Sequence, residues 1–150
     1  MNPTIFNETH LLFDETATTQ AEAFQVIAHF AYERGYVTDE TGYKLGLQQR
    51  ESEATTGFKD HLAIPHSQGE FVIKPGLFLV RFKHPIDWQA LDGKAIHVAF
   101  ALTIPNEGAA EHLKLLSLIA RRLIDAEFRS NVLHEQDPVT LAALINEIDF

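Results

Sequence analysis

The chain has 150 residues, no cysteine and a formal charge of −9, with 12 lysines and arginines against 21 aspartates and glutamates. The length suits one domain with a full core, and the missing cysteine excludes disulfides, thiolate catalysis and sulfur-ligated metals while fitting a reducing compartment. The acidic balance argues against nucleic acid, whose phosphates are held by basic side chains, and suits solubility or a basic protein partner.

The N-terminal MNPTIFNETHLLF has neither the basic start nor the long apolar run of a secretory leader, and no segment is long enough to cross a bilayer. A cytoplasmic protein with no membrane insertion is the expectation. TIFNETHLLF (4–13) reads as a first strand. TQAEAFQVIAHFAYERG reads as a helix: Thr19 and Glu22 form a capping box, Ala23, Val26, Ile27 and Phe30 recur at helical spacing, and Gly35 stands where a helix-ending glycine belongs. A second helix is expected from Asp39 through TGYKLGLQQRESEAT. In HLAIPHSQG the apolar Leu62, Ala63 and Ile64 make a short buried strand that Pro65 should stop, leaving His66 at its carboxyl end.

GLFLVRF (76–82) and AIHVAFALTI (95–104) are strand-like runs rich in β-branched and aromatic residues, joined by a connection with Pro85 and Asp92-Gly93. The second is apolar on both faces except at His97 and Thr103, as a central strand requires. A period of 3.6 then runs through EHLKLLSLIARRLI, a short helix is expected near 126–134, and Asp137-Pro138 opens a last helix over VTLAALINEI. This order predicts one α/β domain: a mixed sheet with helices on both faces.

Some polar residues stand where apolar elements end. Tyr43, Gly46, Leu47, Arg50 and Ala54 share a face of the second helix, so Arg50 interrupts an inward stripe and must snorkel, pair with an acid such as Glu53, or face an anion. His112 shares a stripe with Leu115, Leu116, Ile119 and Leu123, in the first turns of its helix where the dipole favours an anion. His66 alone is compatible with an ordinary loop residue, and His112 with a histidine at the rim of the core. Two histidines fall short of a three-ligand zinc site, and Ser67 lacks the Gly-x-Ser-x-Gly setting of a hydrolase nucleophile. A histidine nucleophile with a guanidinium and a second imidazole nearby suits phosphoryl transfer, which asks mainly for positioning and positive charge.

RESEATTGFKDHLAIPHS resembles the active-site signature of the IIA domains of the fructose/mannitol-type phosphoenolpyruvate-dependent sugar phosphotransferase system. Glu51 meets its acidic position, Phe58 its apolar position and LAIPH its core, and DWQALDGKAIHVAFALTIPNEGAAEHLKLLSLIARRLIDAEFR is similar to the body of fructose-type members. Lys59 and Ser67 depart from the signature, where glycine or alanine and glycine, alanine or cysteine are usual. The resemblance implies that His66 accepts a phosphoryl group on Nε2 from the phosphocarrier HPr, with Nδ1 held by a partner, and passes it to a sugar-specific IIB component linked to a membrane IIC component. It implies that His112 is the second active-site histidine, that Arg50 stabilises phosphoryl oxygens, and that no metal or other cofactor is needed; Ser67 could add a phosphoryl contact. A nitrogen-regulatory IIA protein would use the same histidine for signalling, and a non-catalytic small-molecule binding domain is the alternative outside the family.

Overall fold

Short polar side chains near the N terminus bond to their own backbone and delay the first strand. Asn2 Oδ1 accepts from the Thr4 N–H and hydroxyl, and Asn7 Oδ1 does the same for Thr9, a local alternative to a sheet ladder. The computed structural model, which describes all 150 residues, therefore has a 3-10 turn at Glu8–His10 and a strand only at Leu11–Asp14 (β1), in place of the strand expected from residue 4.

The helix signals act much as read. Helix α1 (Gln20–Glu33) opens on the reciprocal capping box of Thr19 and Glu22, and Gly35 follows its end at a φ of +80°. Helix α2 (Glu40–Glu53) opens on Asp39, whose carboxylate accepts from the Gly42 N–H. It stops at Ala54, which is extended and exposed instead of continuing the inward face. Helices α3 (Ala109–Arg122), α4 (Ala126–His134) and α5 (Pro138–Asn146) follow; Asp137 caps the last, with Pro138 in its first turn.

The remaining strands are β2 (Gly57–Lys59), β3 (Leu62–Ala63), β4 (His66–Gln68), β5 (Gly76–Ile86) and β6 (Ile96–Ile104). The sheet order is β1-β5-β6-β3-β2, with β4 also on β6. β5 and β6 are antiparallel, as are β2 and β3; β1 runs parallel to β5, and β3 and β4 run parallel to β6. β5 is longer than expected and takes in Pro85, within the stretch between Arg81 and Ile86 where its register against β6 shifts, a place where a strand tolerates proline.

The Pro-His segment also departs from expectation. Leu62 pairs with Val98 and Ala63 with Ala99; beyond the proline, His66 pairs with Leu102 and Ser67 with Thr103, in the same register. Pro65 has no N–H to give, but its carbonyl accepts from the Leu102 N–H at 3.0 Å. The ladder thus crosses the proline, and His66 begins a strand segment instead of ending one.

Alternation along the strands separates two cores. Leu77 and Leu79 of β5 and Val98, Phe100, Leu102 and Ile104 of β6 pack against α3, α4 and α5, while Phe78, Val80, Ala99 and Ala101 face α1 and α2. Helices therefore cover both faces, as the sequence predicts. Gly46 brings α2 down onto β4: a Cβ there would lie 2.2 Å from Ser67 Oγ and 3.0 Å from Phe71 Cζ. Arg50 is one turn further along the same helix, and this close approach carries it to His66.

Gly46→Ala tests the approach. Alanine adds about 1 kcal/mol of helix propensity, but overpacking a buried contact costs typically about 1–3 kcal/mol, so chemical denaturation should show a net loss of stability, partly recovered by adding Ser67→Gly. Gly46→Ala as stable as the wild type would mean that α2 does not rest on β4 this tightly.

Candidate phosphoryl-transfer site

His66 is 9% exposed, and both of its ring nitrogens are engaged. Nδ1 lies 2.8 Å from the Ile64 carbonyl oxygen. A carbonyl only accepts, so Nδ1 carries the proton and donates it, and in the neutral ring Nε2 bears the lone pair. The Arg50 Nε–H points at that lone pair from 3.2 Å. Burial pushes the His66 pKa below the usual histidine value, and the Arg50 cation pushes the same way; the Ile64 contact and the Glu51 and Glu53 charges oppose it. The product is a neutral imidazole with its free electron pair beside a guanidinium.

Arg50 is held at the end of α2, where its Nη1 donates to the Ala54 carbonyl at 2.8 Å. Glu53 lines the same cleft but forms no ion pair with Arg50, which leaves the arginine charge facing the cleft. The cleft has a volume of ≈ 410 Å³ and includes Ser67, Gln49 and Phe71 beside His66, with Ile104 of β6 and Leu113 of α3 on its far wall. Larger clefts lie beside Trp88 (≈ 580 Å³) and between α1 and β1 (≈ 710 Å³). The first holds no histidine, and in the second His29 is exposed with its pKa raised by Glu40. Chemistry, not size, therefore singles out the His66 cleft.

Of the residues singled out from sequence, Arg50, His66 and Ser67 share this cleft, whereas His112 is not among its lining residues. His112 sits in the first turn of α3, its N–H bonded to the Gly108 carbonyl, and borders a separate small void with Leu102, Thr103 and Ile104. Its Nδ1 is buried without a hydrogen-bond partner. Ile104 belongs to both linings, so the His66 cleft and the His112 void adjoin at the end of β6. No group of three or more His, Asp or Glu side chains is placed to hold a metal ion.

Sequence reasoning passed over Gln49, Phe71, Ile104 and Leu113 as cleft residues. Gln49 and Glu53 flank Arg50 on the helix and were within reach of helical spacing. Nothing local marks Leu113 or Ile104.

A sequence profile of the family described as "Phosphoenolpyruvate-dependent sugar phosphotransferase system, EIIA 2" matches residues 4–148. The chain belongs to this family. Among curated members, it is 30% identical over 135 residues to the fructose-specific EIIA component of Haloferax volcanii, covering 90% of this chain and 88% of that one. It is likewise 30% identical over 121 residues to the fructose-like EIIA component of Escherichia coli K12, covering 81% of each. Among solved structures, the nitrogen regulatory protein IIA-Ntr of Neisseria meningitidis superposes with a TM-score of 0.86 at 22% identity, over 95% of this chain and 97% of that one. IIA mannitol of Escherichia coli superposes with a TM-score of 0.74 at 17% identity, over 95% and 97%. The fold is thus that of the IIA proteins. No helix of the chain is long and apolar enough to cross a membrane.

The electrostatics of this IIA cleft predict a titration. Because burial and Arg50 both lower the His66 pKa, the ring should protonate only below the usual ~6.5, and Arg50→Gln should move the midpoint upward. NMR titration of the His66 ring reads both; a wild-type midpoint above ~6.5, or a downward move in the variant, would contradict the burial and charge balance described here.

Proposed function

We propose that this IIA protein is a sugar-transport phosphocarrier in which His66 takes a phosphoryl group from phosphorylated HPr and passes it to a sugar-specific IIB component working with a membrane IIC component. The observation that carries this reading is the His66 ring, neutral, with Nδ1–H tied to Ile64 and the Nε2 lone pair against Arg50. The named curated relatives, which are fructose-specific or fructose-like components, favour a sugar of that type. A IIB partner fits a further likeness, the fructose-specific EIIABC component of Bacillus subtilis, of whose length this chain spans 18% at 30% identity; a complex of Escherichia coli enzyme IIA mannitol with its phosphorylated IIB enzyme superposes with a TM-score of 0.80 at 16% identity, a likeness of fold. At 22% identity the likeness to the nitrogen regulatory protein speaks to the fold alone.

In the first transfer the Nε2 pair attacks the phosphorus of the donor phosphohistidine. The donor N–P bond breaks, and its electrons return to the donor ring. Nδ1 keeps its proton throughout, so His66 needs no proton transfer in either direction. The Arg50 Nε–H gives up the lone pair and turns to the incoming phosphoryl oxygens, while Nη1 stays anchored on Ala54 and Nη2 is free to bind as well. In the second transfer a nucleophile of the IIB partner attacks phosphorus and His66 recovers its pair. Ser67 borders the same space and can donate its hydroxyl to a phosphoryl oxygen. We assign His112 a supporting role from the neighbouring void that shares Ile104 with the cleft, where its Nδ1 has no hydrogen-bond partner.

Incubation with phosphoenolpyruvate, enzyme I and HPr should add one acid-labile phosphoryl group, mapped to His66 by mass spectrometry, and His66→Ala should take up none. Arg50→Lys keeps charge but loses the planar fork; loss of a charge-assisted contact of about 1.5–3 kcal/mol corresponds to transfer roughly 10–100-fold slower in single-turnover assays. His112→Ala should fold and accept the group slowly, with His112→Gln recovering part of the rate. Label on His112 or a serine would refute the assignment of His66.

A further inference from the structure

The tautomer of His66 depends on the Ile64 carbonyl staying in place, and that carbonyl is itself held. The Ile64 N–H donates to the Thr56 carbonyl at 2.9 Å. Thr56 is buried, and its N–H and hydroxyl both donate to the Glu51 carboxylate, one to each oxygen, the N–H at 2.9 Å. Its Oγ1 in turn accepts the Trp88 indole N–H at 3.3 Å. Glu51 lies next to Arg50 in the last turn of α2, and Ala54, just beyond, anchors the Arg50 guanidinium. The contacts to the two nitrogens of the ring thus trace back to one stretch, 50–56: Nε2 through Arg50 and Ala54, Nδ1 through Glu51, Thr56 and Ile64.

We propose that Glu51 is a positioning residue for His66, acting through Thr56 and Ile64 to keep the proton on Nδ1 and the lone pair on Nε2. The proposal rests on the reading of His66 as the phosphoryl acceptor. A carboxylate suits the task because it offers an oxygen to each of two donors and has no donor of its own. Glutamine at 51 would keep one acceptor oxygen and set an NH2 group against a Thr56 donor. Without the clasp the turn from α2 into β2 is free to drift, the Ile64 carbonyl moves off Nδ1, and the ring gains access to the tautomer with hydrogen on Nε2. In that tautomer the attacking atom has no lone pair available.

The experiment is 15N NMR of the labelled full chain, at a pH above the His66 titration, together with single-turnover phosphorylation by HPr. In the wild type, His66 should show a protonated Nδ1 and an unprotonated Nε2. Thr56→Val removes the hydroxyl at nearly constant shape and leaves the Glu51 charge in place; Glu51→Gln removes the charge and one acceptor; Thr56→Ser restores the hydroxyl. Both disruptive variants should populate the Nε2–H tautomer, and both should accept the phosphoryl group at least roughly 10-fold more slowly, the size of effect seen when partners that orient metal-binding imidazoles are removed. Thr56→Ser should behave as the wild type. An unchanged tautomer in Thr56→Val and Glu51→Gln overturns the proposal, including the case where transfer slows, since Glu51 would then act through its charge or through the fold. Circular dichroism and chemical denaturation report folding, and if Glu51→Gln does not fold, the pair Thr56→Val and Thr56→Ser decides by itself. A wild-type protein that takes no phosphoryl group on His66 refutes the reading of function, and the tautomer comparison still decides what Glu51 does.

Discussion

Leu102 is where the site is joined to the sheet. Its N–H holds the Pro65 carbonyl at 3.0 Å, its carbonyl accepts the Tyr43 hydroxyl at 2.8 Å, and it is the register partner of His66. Tyr43 is fully buried, and burial raises its pKa, so its hydroxyl remains a donor at any ordinary pH. It stands two turns before Arg50 on the same face of α2. One residue of the central strand therefore sets both the depth of His66 and the position of the helix that carries its cation. Leaving a buried partner of this kind unpaired costs about 1–3 kcal/mol, so the strand and the helix are not independently adjustable.

The charges at the site are arranged differently from those at the far end of the sheet. At the far end of the sheet the cations are consumed by carboxylates: Lys94 and Arg129 both bind Asp60, and Arg122 reaches Asp125 and Glu147. The exposed pairs of Lys94 and Arg122 contribute little, about 0–1 kcal/mol, whereas the Arg129 guanidinium is buried. Arg50 instead bonds an imidazole and a carbonyl, neither of which neutralises it. In a chain of net charge −9, an arginine without an ion-pair partner beside a buried neutral histidine leaves one cation facing the cleft that Glu53 also lines, and it suits an incoming anion. Burial first, and the same cation with it, lower the His66 pKa, so Arg50 helps to keep the imidazole neutral while its charge faces the cleft.

What could be read in the sequence depended on how far the physics reaches along the chain. The capping box of Thr19 and Glu22, the Asp39 and Asp137 caps and the helical stripes were legible because each involves groups within a turn of one another. The expected first strand failed for a reason of the same range: Asn2 and Asn7 bind their own neighbours, and apolar residues such as Ile5 and Phe6 enter the core without a ladder. The strand end expected at Pro65 failed for the opposite reason. Proline removes one donor, but its carbonyl still finds Leu102 on a strand far away in sequence.

The sequence by itself determined the alternation of helices and strands, the apolar runs that become the two cores, and the presence of His66, Arg50, Ser67 and His112 at the ends of apolar elements, because local hydrogen bonding and side-chain periodicity act within a few residues. Only the tertiary structure decided which of these meet. Gly46 against Ser67 and Tyr43 against Leu102 bring Arg50 to His66, while His112 comes to lie beyond Ile104 with its Nδ1 unpaired. The Ile64 carbonyl that assigns the His66 proton bonds a residue only two positions away. Its orientation nevertheless depends on the parallel ladder to β6 and on the Glu51–Thr56 clasp, and the direction of a backbone carbonyl is decided by what the rest of the fold packs around it.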